Sequence, residues 1–163
     1  MKRCWSITIY YLKTGRLEQI TAGDRVTGQQ LRSPHIMIYK GSCHCGIVQF
    51  EVKAPDHIEV ENCNCSICSM AGYLHLIVPK GNFTLLTGRS SLQTYTFNTG
   101  VAKHYFCKTC GIKPFYIPRS NPDGMDVNVN CLDEYPSNIT IVDFDGQNWE
   151  KNAHKVAHKS KPS

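Results

Sequence analysis

The chain has 163 residues, 41% of them hydrophobic, which is enough for one domain with its own core. Its formal net charge of +5 favours small anionic ligands but is too weak and too scattered to argue for nucleic acid as a partner of this chain alone. No run of about 18 apolar residues occurs, so a transmembrane helix is excluded and no membrane partner is expected.

In chain order, residues 1–36 contain no clustered cysteines and read as an N-terminal extension, loosely structured or outside the core. A strand is expected over Ile7 to Leu12 and a loop over Thr21 to Ser33. Lys2 and Arg3 precede a short apolar stretch. That stretch is broken by Ser6 and Thr8 and lacks a small-residue cleavage site, so a signal peptide is not expected. The core domain is expected over residues 37–150. Ile47 to Val52 and His57 to Glu61 alternate apolar and polar residues, the period of a strand with one buried face. Tyr73 to Val78, Phe83 to Leu86, Leu92 to Phe97, Ala102 to Phe106, Ile112 to Ile117, Met125 to Val129 and Ile139 to Phe144 continue the series. Turn-forming groups such as Lys80-Gly81-Asn82 and Asn121-Pro122-Asp123-Gly124 separate them. No helical period is sustained before residue 146, and Asn148 to Lys159 is compatible with a short helix. Residues 151–163 form a Lys- and His-rich basic tail, expected to be solvated. The class is all-β, built from short antiparallel sheets.

Of nine cysteines, seven fall in three tight groups: Cys43-His44-Cys45, Cys63-Asn64-Cys65-Ser66-Ile67-Cys68 and Cys107-Lys108-Thr109-Cys110. A disulfide framework spreads and pairs its cysteines; clusters at this spacing point to zinc and a reducing, intracellular compartment, cytoplasmic, nuclear or both. A C-x-x-C turn lets two thiolates meet one ion. Seven ligands divide most simply into four and three. Cys43, Cys45, Cys107 and Cys110 then form a closed structural site, and Cys63, Cys65 and Cys68 hold a second zinc with an open position. His44, His75, His104 and Cys131 are alternative fourth ligands to the second ion, and two purely structural sites are the competing arrangement. The pair His154 and His158 has helical spacing but reads as surface.

Zinc with three thiolates is a weak Lewis acid but keeps a further thiol deprotonated and nucleophilic, so chemistry at sulfur is expected rather than hydrolysis. A substrate thiolate, the fourth at that ion, adds negative charge, which Arg119, Lys103 or Lys113 would offset. Arg119 could also grip a substrate carboxylate with its fork.

Gly41-Ser-Cys-His-Cys-Gly46, Cys63-Asn-Cys-Ser-Ile-Cys68 and Phe106-Cys-Lys-Thr-Cys-Gly111 resemble the glutathione-dependent formaldehyde-activating enzymes, and especially their animal centromere protein V-like branch. Thr94 to Thr99, Phe115 to Pro122 and Cys131 to Glu134 extend the likeness, which spans roughly residues 38–150. The resemblance implies a β-tent with two zinc ions, one structural on Cys43, Cys45, Cys107 and Cys110, one catalytic and labile on Cys63, Cys65 and Cys68. It also implies a carbon–sulfur lyase that joins an aldehyde such as formaldehyde to glutathione or a similar thiol as S-hydroxymethylglutathione. The centromere branch implies the alternative, a non-catalytic zinc module associated with chromosomes or cytoskeleton. A homo-oligomer is compatible with either.

Overall fold

The computed structural model describes residues 9–13, 16–20 and 35–161. Cys4 and the expected loop over 21–33 lie outside these residues, and the expected strand over 7–12 lies partly outside. Residues 1–33 and 34–163 are separate compact units. In the first, β1 (Ile9–Lys13) pairs antiparallel with β2 (Arg16–Ile20), from Ile9 opposite Ile20 to Lys13 opposite Arg16.

The second unit is mostly β. Its strands are β3 (Ile36–Ser42), β4 (Gln49–Pro55), β5 (Ile58–Cys63), β6 (Leu74–Pro79), β7 (Phe83–Thr87) and β8 (Leu92–Tyr95). They continue as β9 (Lys103–Cys107), β10 (Phe115–Ile117), β11 (Gly124–Asn128) and β12 (Ile139–Phe144). Two short helices complete it, α1 (Ser66–Ala71) and α2 (Trp149–Asn152), the latter running into a 3-10 turn over Ala153–Lys155. One sheet has the order β3-β4-β7, the other β12-β5-β6-β11-β10-β9-β8. Every pairing in these two sheets is antiparallel except that of β5 with β12. β11 already runs parallel to β5, and the chain passes β6 and β5 to add β12 at the edge in that same direction. Among the described residues no helix is long and apolar enough to cross a membrane.

The sheets share one apolar core. Phe50, Val52 and Ala54 of β4 meet Val60, Leu76, Phe115 and Val127 of the larger sheet, and all seven are buried. Phe50 stacks on Phe83 and meets Phe115 edge-on, with centroids 5.7 and 5.6 Å apart. Each large side chain buried here contributes about 1.5–3 kcal/mol.

The opposite face of the larger sheet is polar yet also buried. Cross-strand register places Glu61 opposite His75, Asp126 opposite Tyr116, and Tyr116 opposite His104. Strand alternation explains the division: Met125 and Val127 go to the core, while Asp126 and Asn128 go to the other side.

The tail departs from the expected solvated end. Val156 and Ser160 are buried. Asn121 Nδ2 donates to Val156 O (3.1 Å) and to Ser160 Oγ (2.9 Å), and Asp123 takes Ser160 Oγ and Lys161 Nζ, each at 2.7 Å. Those partners hold the segment onto the domain despite its Lys and His content. His154 and His158 stay on the surface.

Candidate metal centres and the adjoining cavity

Two turns make the first cluster. Cys43 follows β3, and Gly46 N–H returns to Cys43 O at 2.8 Å; Cys107 ends β9, and Gly111 N–H returns to Cys107 O at 2.8 Å. Gly46 and Gly111 both have φ near +74°, a left-handed conformation costly for residues with a Cβ. The turns bring the Sγ atoms of Cys43, Cys45, Cys107 and Cys110 within 4.8 Å of one another. Cys45 Sγ lies 3.5 Å from that of Cys43 and 3.6 Å from that of Cys107. A disulfide needs about 2.0 Å, whereas tetrahedral zinc at about 2.3 Å from each sulfur gives edges of about 3.8 Å. Burial raises the Cys107 thiol, but the N–H groups of Cys110 and Thr109 outweigh it and bring it down to about 6, towards the thiolate a metal needs.

The second cluster is local. Cys63 is the last residue of β5, Cys65 caps α1, and Cys68 lies in its first turn, one helical turn from Cys65. The helix is too short to show a period in the sequence. Gly72, left-handed at its end, returns its N–H to the Cys68 and Ser69 carbonyls. The three Sγ atoms lie within 4.8 Å of one another. Crowding prevents them from ionising together. Hydrogen bonds from Cys65 and Cys68 drive the Cys63 thiol far below its usual range, and the ionised neighbour pushes Cys65 and Cys68 up. A soft divalent cation resolves that conflict by taking all three as thiolates, so both donor sets fit zinc.

Of the four alternative ligands considered for this cluster, none joins the group of thiols. His75 comes nearest. Its ring stands beside Cys63, while its Nδ1 lies 2.8 Å from Asp126 Oδ2 and 3.3 Å from the Tyr116 hydroxyl. Burial opposes the charged ring, but Asp126, with Cys63, raises it to about 9. Cys131 packs against the main core, its thiol pushed up to about 12 by burial.

The three thiols open onto a cavity of about 860 Å³ whose walls include His75, His104, Tyr116 and Asp126 from the polar face. Arg119 also lines it. Its guanidinium lies flat on Trp149, 3.3 Å from the ring centroid, and its Nη2 meets the exposed Glu150 carboxylate at 3.0 Å. Lys113 does not line this cavity: its Nζ is buried against the aromatic wall, 4.2 Å from the Tyr116 ring centroid and 4.5 Å from that of Tyr73. Burial lowers its pKa, opposed by the negative charge of Cys68, Asp126 and the other two thiols. Lys103 is exposed on β9 and does not line the cavity.

Among the described residues, Glu61, His75, His104, Lys113 and Asp126 each carry at least one buried side-chain atom with no hydrogen-bond partner. Burial holds Glu61 above the usual carboxylate range even though Lys159 contacts it. Unpartnered buried polar groups are costly, and a buried ion pair such as His75–Asp126 adds little stability by itself. Four of them, Glu61, His75, His104 and Asp126, line the same cavity, which marks it as a candidate ligand site. Glu61, Asp126 and Tyr116 were not singled out in the sequence; the signal that could have found them is polar residues alternating with fully apolar neighbours, as in Met125-Asp126-Val127-Asn128.

Gly146 also lines the cavity, packed against Cys63 and Cys65. Its backbone is held by Gly146 N–H to Phe144 O (3.0 Å), and Gln147 N donates to Asn64 Oδ1 (2.9 Å). A Cβ at Gly146 would run into Cys63 Sγ and come within 3.1 Å of Cys65 Cβ. Gly146→Ala is therefore expected to displace the Cys63 thiol, lower zinc retention at this cluster, and destabilise the domain by about 1–3 kcal/mol as an overpacked site. Zinc per chain and a thermal melt check both effects.

Together, the fold and the two thiol clusters define a mostly β domain equipped to hold metal ions beside a ligand cavity. A family model described as glutathione-dependent formaldehyde-activating enzyme matches residues 38–150, and the chain belongs to that family. A Halomonas elongata protein bearing the same family name is 29% identical over 82 residues, 45% of this chain and 52% of that protein. The chain thus spans about half the length of this curated relative. The crystal structure of a Rhodobacter sphaeroides protein aligns with a TM-score of 0.55 and 38% identity, covering 58% of this chain and 87% of that one.

Proposed function

We propose that the protein binds glutathione or a similar small thiol at Cys63, Cys65 and Cys68 and adds it to an aldehyde such as formaldehyde. The observation that carries this reading is the cluster of three thiols, which no fourth ligand joins among the described residues, open to a large cavity. Cys43, Cys45, Cys107 and Cys110 are the structural zinc ligands in this reading, and the three-cysteine zinc is the labile one. Zinc at three thiolates supplies a position where a further thiol remains deprotonated and nucleophilic.

The chain's own residues do the rest. Lys113 offsets the negative charge that a fourth thiolate brings, from a place where burial strengthens its field. Arg119, fixed on Trp149, takes a substrate carboxylate in place of the exposed Glu150. The sulfur attacks the aldehyde carbon, the carbonyl π electrons pass to oxygen, and that oxygen takes up one proton, giving the hydroxymethyl thioether. The reverse step releases the aldehyde, which makes the protein a carbon–sulfur lyase in class.

The second reading, a non-catalytic zinc module, rests only on the resemblance of the cysteine motifs to the centromere protein V-like branch, and one measurement separates the two. Protein prepared without chelator is expected to hold two zinc ions per chain. Dialysis against glutathione is expected to remove one and leave the circular dichroism unchanged. Two ions that both survive, with no glutathione bound by calorimetry, would sink the enzyme reading and favour the module.

A further inference from the structure

We propose that Cys63, Cys65 and Cys68 together bind trivalent arsenic, taking arsenite as a three-coordinate thiolate complex in place of zinc. The proposal goes beyond the thiol–aldehyde reading above and stands on the triangle of thiols alone. The three Sγ atoms lie within 4.8 Å of one another, and no fourth donor among the described residues joins them. They come from one short stretch, the end of β5 and the start of α1, so the chain holds them together locally.

Tetrahedral zinc needs a fourth ligand, which must here come from outside the chain. Trivalent arsenic does not. Three bonds and a lone pair complete it, and the lone pair requires only open space on the fourth side. The cavity of about 860 Å³ onto which the thiols open supplies that space and the way in. Thiolates favour soft acceptors, and arsenic–sulfur bonds are close in length to zinc–sulfur bonds of about 2.3 Å, so one triangle serves both. The four-cysteine cluster differs. Cys43, Cys45, Cys107 and Cys110 complete a tetrahedron by themselves, and a three-coordinate centre there would strand one thiol.

Charge points the same way. Zinc on three thiolates is a net anion, set among the buried Cys63 and Cys68 and in the same cavity as Glu61 and Asp126. Buried charge is costly unless it is compensated. Arsenic on the same three sulfurs is neutral and needs no counter-ion. The exchange is also balanced without redox chemistry. Three arsenic–sulfur bonds form and three arsenic–oxygen bonds break, and each hydroxide leaves as water with a thiol proton. Solvent supplies that proton where zinc has left a thiolate. Arsenic stays trivalent throughout.

The test is incubation of the full zinc-loaded chain with arsenite, followed by gel filtration and elemental analysis for arsenic and zinc. One arsenic per chain is expected, with one zinc kept and the circular dichroism unchanged. Cys65→Ser leaves two thiols and is expected to weaken arsenite by more than about 100-fold, beyond what an outer partner of a ligand is worth. Phenylarsine oxide forms only two arsenic–sulfur bonds. It is expected to bind Cys65→Ser and the wild type alike, which also shows that the remaining pair is in place. Arsenite held equally by both proteins would mean that the triangle is not what binds it. Arsenic gained only with loss of both zinc ions and of the fold would put it on the four-cysteine cluster, and no arsenic retained would mean that the triangle does not close on it. Each of these overturns the proposal. None bears on the thiol–aldehyde reading, whose calorimetry with glutathione uses no arsenic.

Discussion

Cys65→Ser is expected to yield a folded protein with one zinc per chain and no measurable capture of glutathione. Cys65 is the middle ligand of a group contributed by the end of β5 and the first turn of α1, so its loss leaves two thiols and no preformed triangle. The outer partners of a metal ligand are commonly worth about 10–100-fold in affinity or activity, so a ligand itself should cost more than about 100-fold. The fold should survive because the main apolar core does not include this cluster: Cys63 and Cys68 pack in a small separate group with Tyr73 and Tyr116. Cys65 is half-buried, so a hydroxyl in its place meets no packing conflict. Zinc analysis, the far-UV spectrum and formation of S-hydroxymethylglutathione, measured on one preparation, check the three parts together. Full catalysis by the variant would show that this cluster is not the reacting centre.

The two thiol clusters were legible in the sequence because metal-binding turns are written locally. In the four-cysteine cluster, C-x-C and C-x-x-C followed by glycine specify a bend within three or four residues, and Gly46 and Gly111 take the left-handed conformation it requires; in the other, C-x-C-x-x-C gathers three thiols from one short stretch. Strands such as Ile139–Phe144 were legible for the same reason, through their short-range pattern. The cavity was not. Glu61, His75, His104, Tyr116 and Asp126 come from five strands whose order in the sheet, β5-β6-β11-β10-β9, is not their order in the chain. Histidines with no neighbouring motif read as packed side chains, and only the sheet register shows that these polar residues share a row. The tail was misread because Lys and His suggest a solvated end. What decides its position is Asn121, an uncharged residue in a turn some 35 positions away.

The row of orphaned polar atoms and the apolar core lie on opposite faces of one sheet, which fixes how the domain must be held together. A face carrying unpartnered buried atoms of Glu61, His75, His104 and Asp126 adds cost, not stability. The opposing stabilisation comes from the core and, in the reading proposed above, from the four-cysteine zinc. That cluster ties the end of β3 to the end of β9, residues 43 and 107, in two different sheets.

Cys107→Ser is accordingly expected to leave the domain unfolded at ordinary temperature, in contrast to Cys65→Ser. Structural zinc sites bind with about 10–16 kcal/mol of apparent free energy, all of it coupled to folding. A domain of this kind has a net stability of about 5–15 kcal/mol. Losing even half of the zinc term would consume most of that margin. Cys107 also belongs to the buried core cluster that includes Val48 and Phe50, so serine there puts a hydroxyl into apolar surroundings. The wild-type protein treated with a chelator should behave in two stages: loss of the three-cysteine zinc with the spectrum unchanged, then loss of the four-cysteine zinc together with the β signal. A thermal melt of Cys107→Ser that matches the wild type would show that the four-cysteine cluster does not staple the two sheets. The burden of stability would then fall on the core built from Phe50, Phe83 and Phe115 alone.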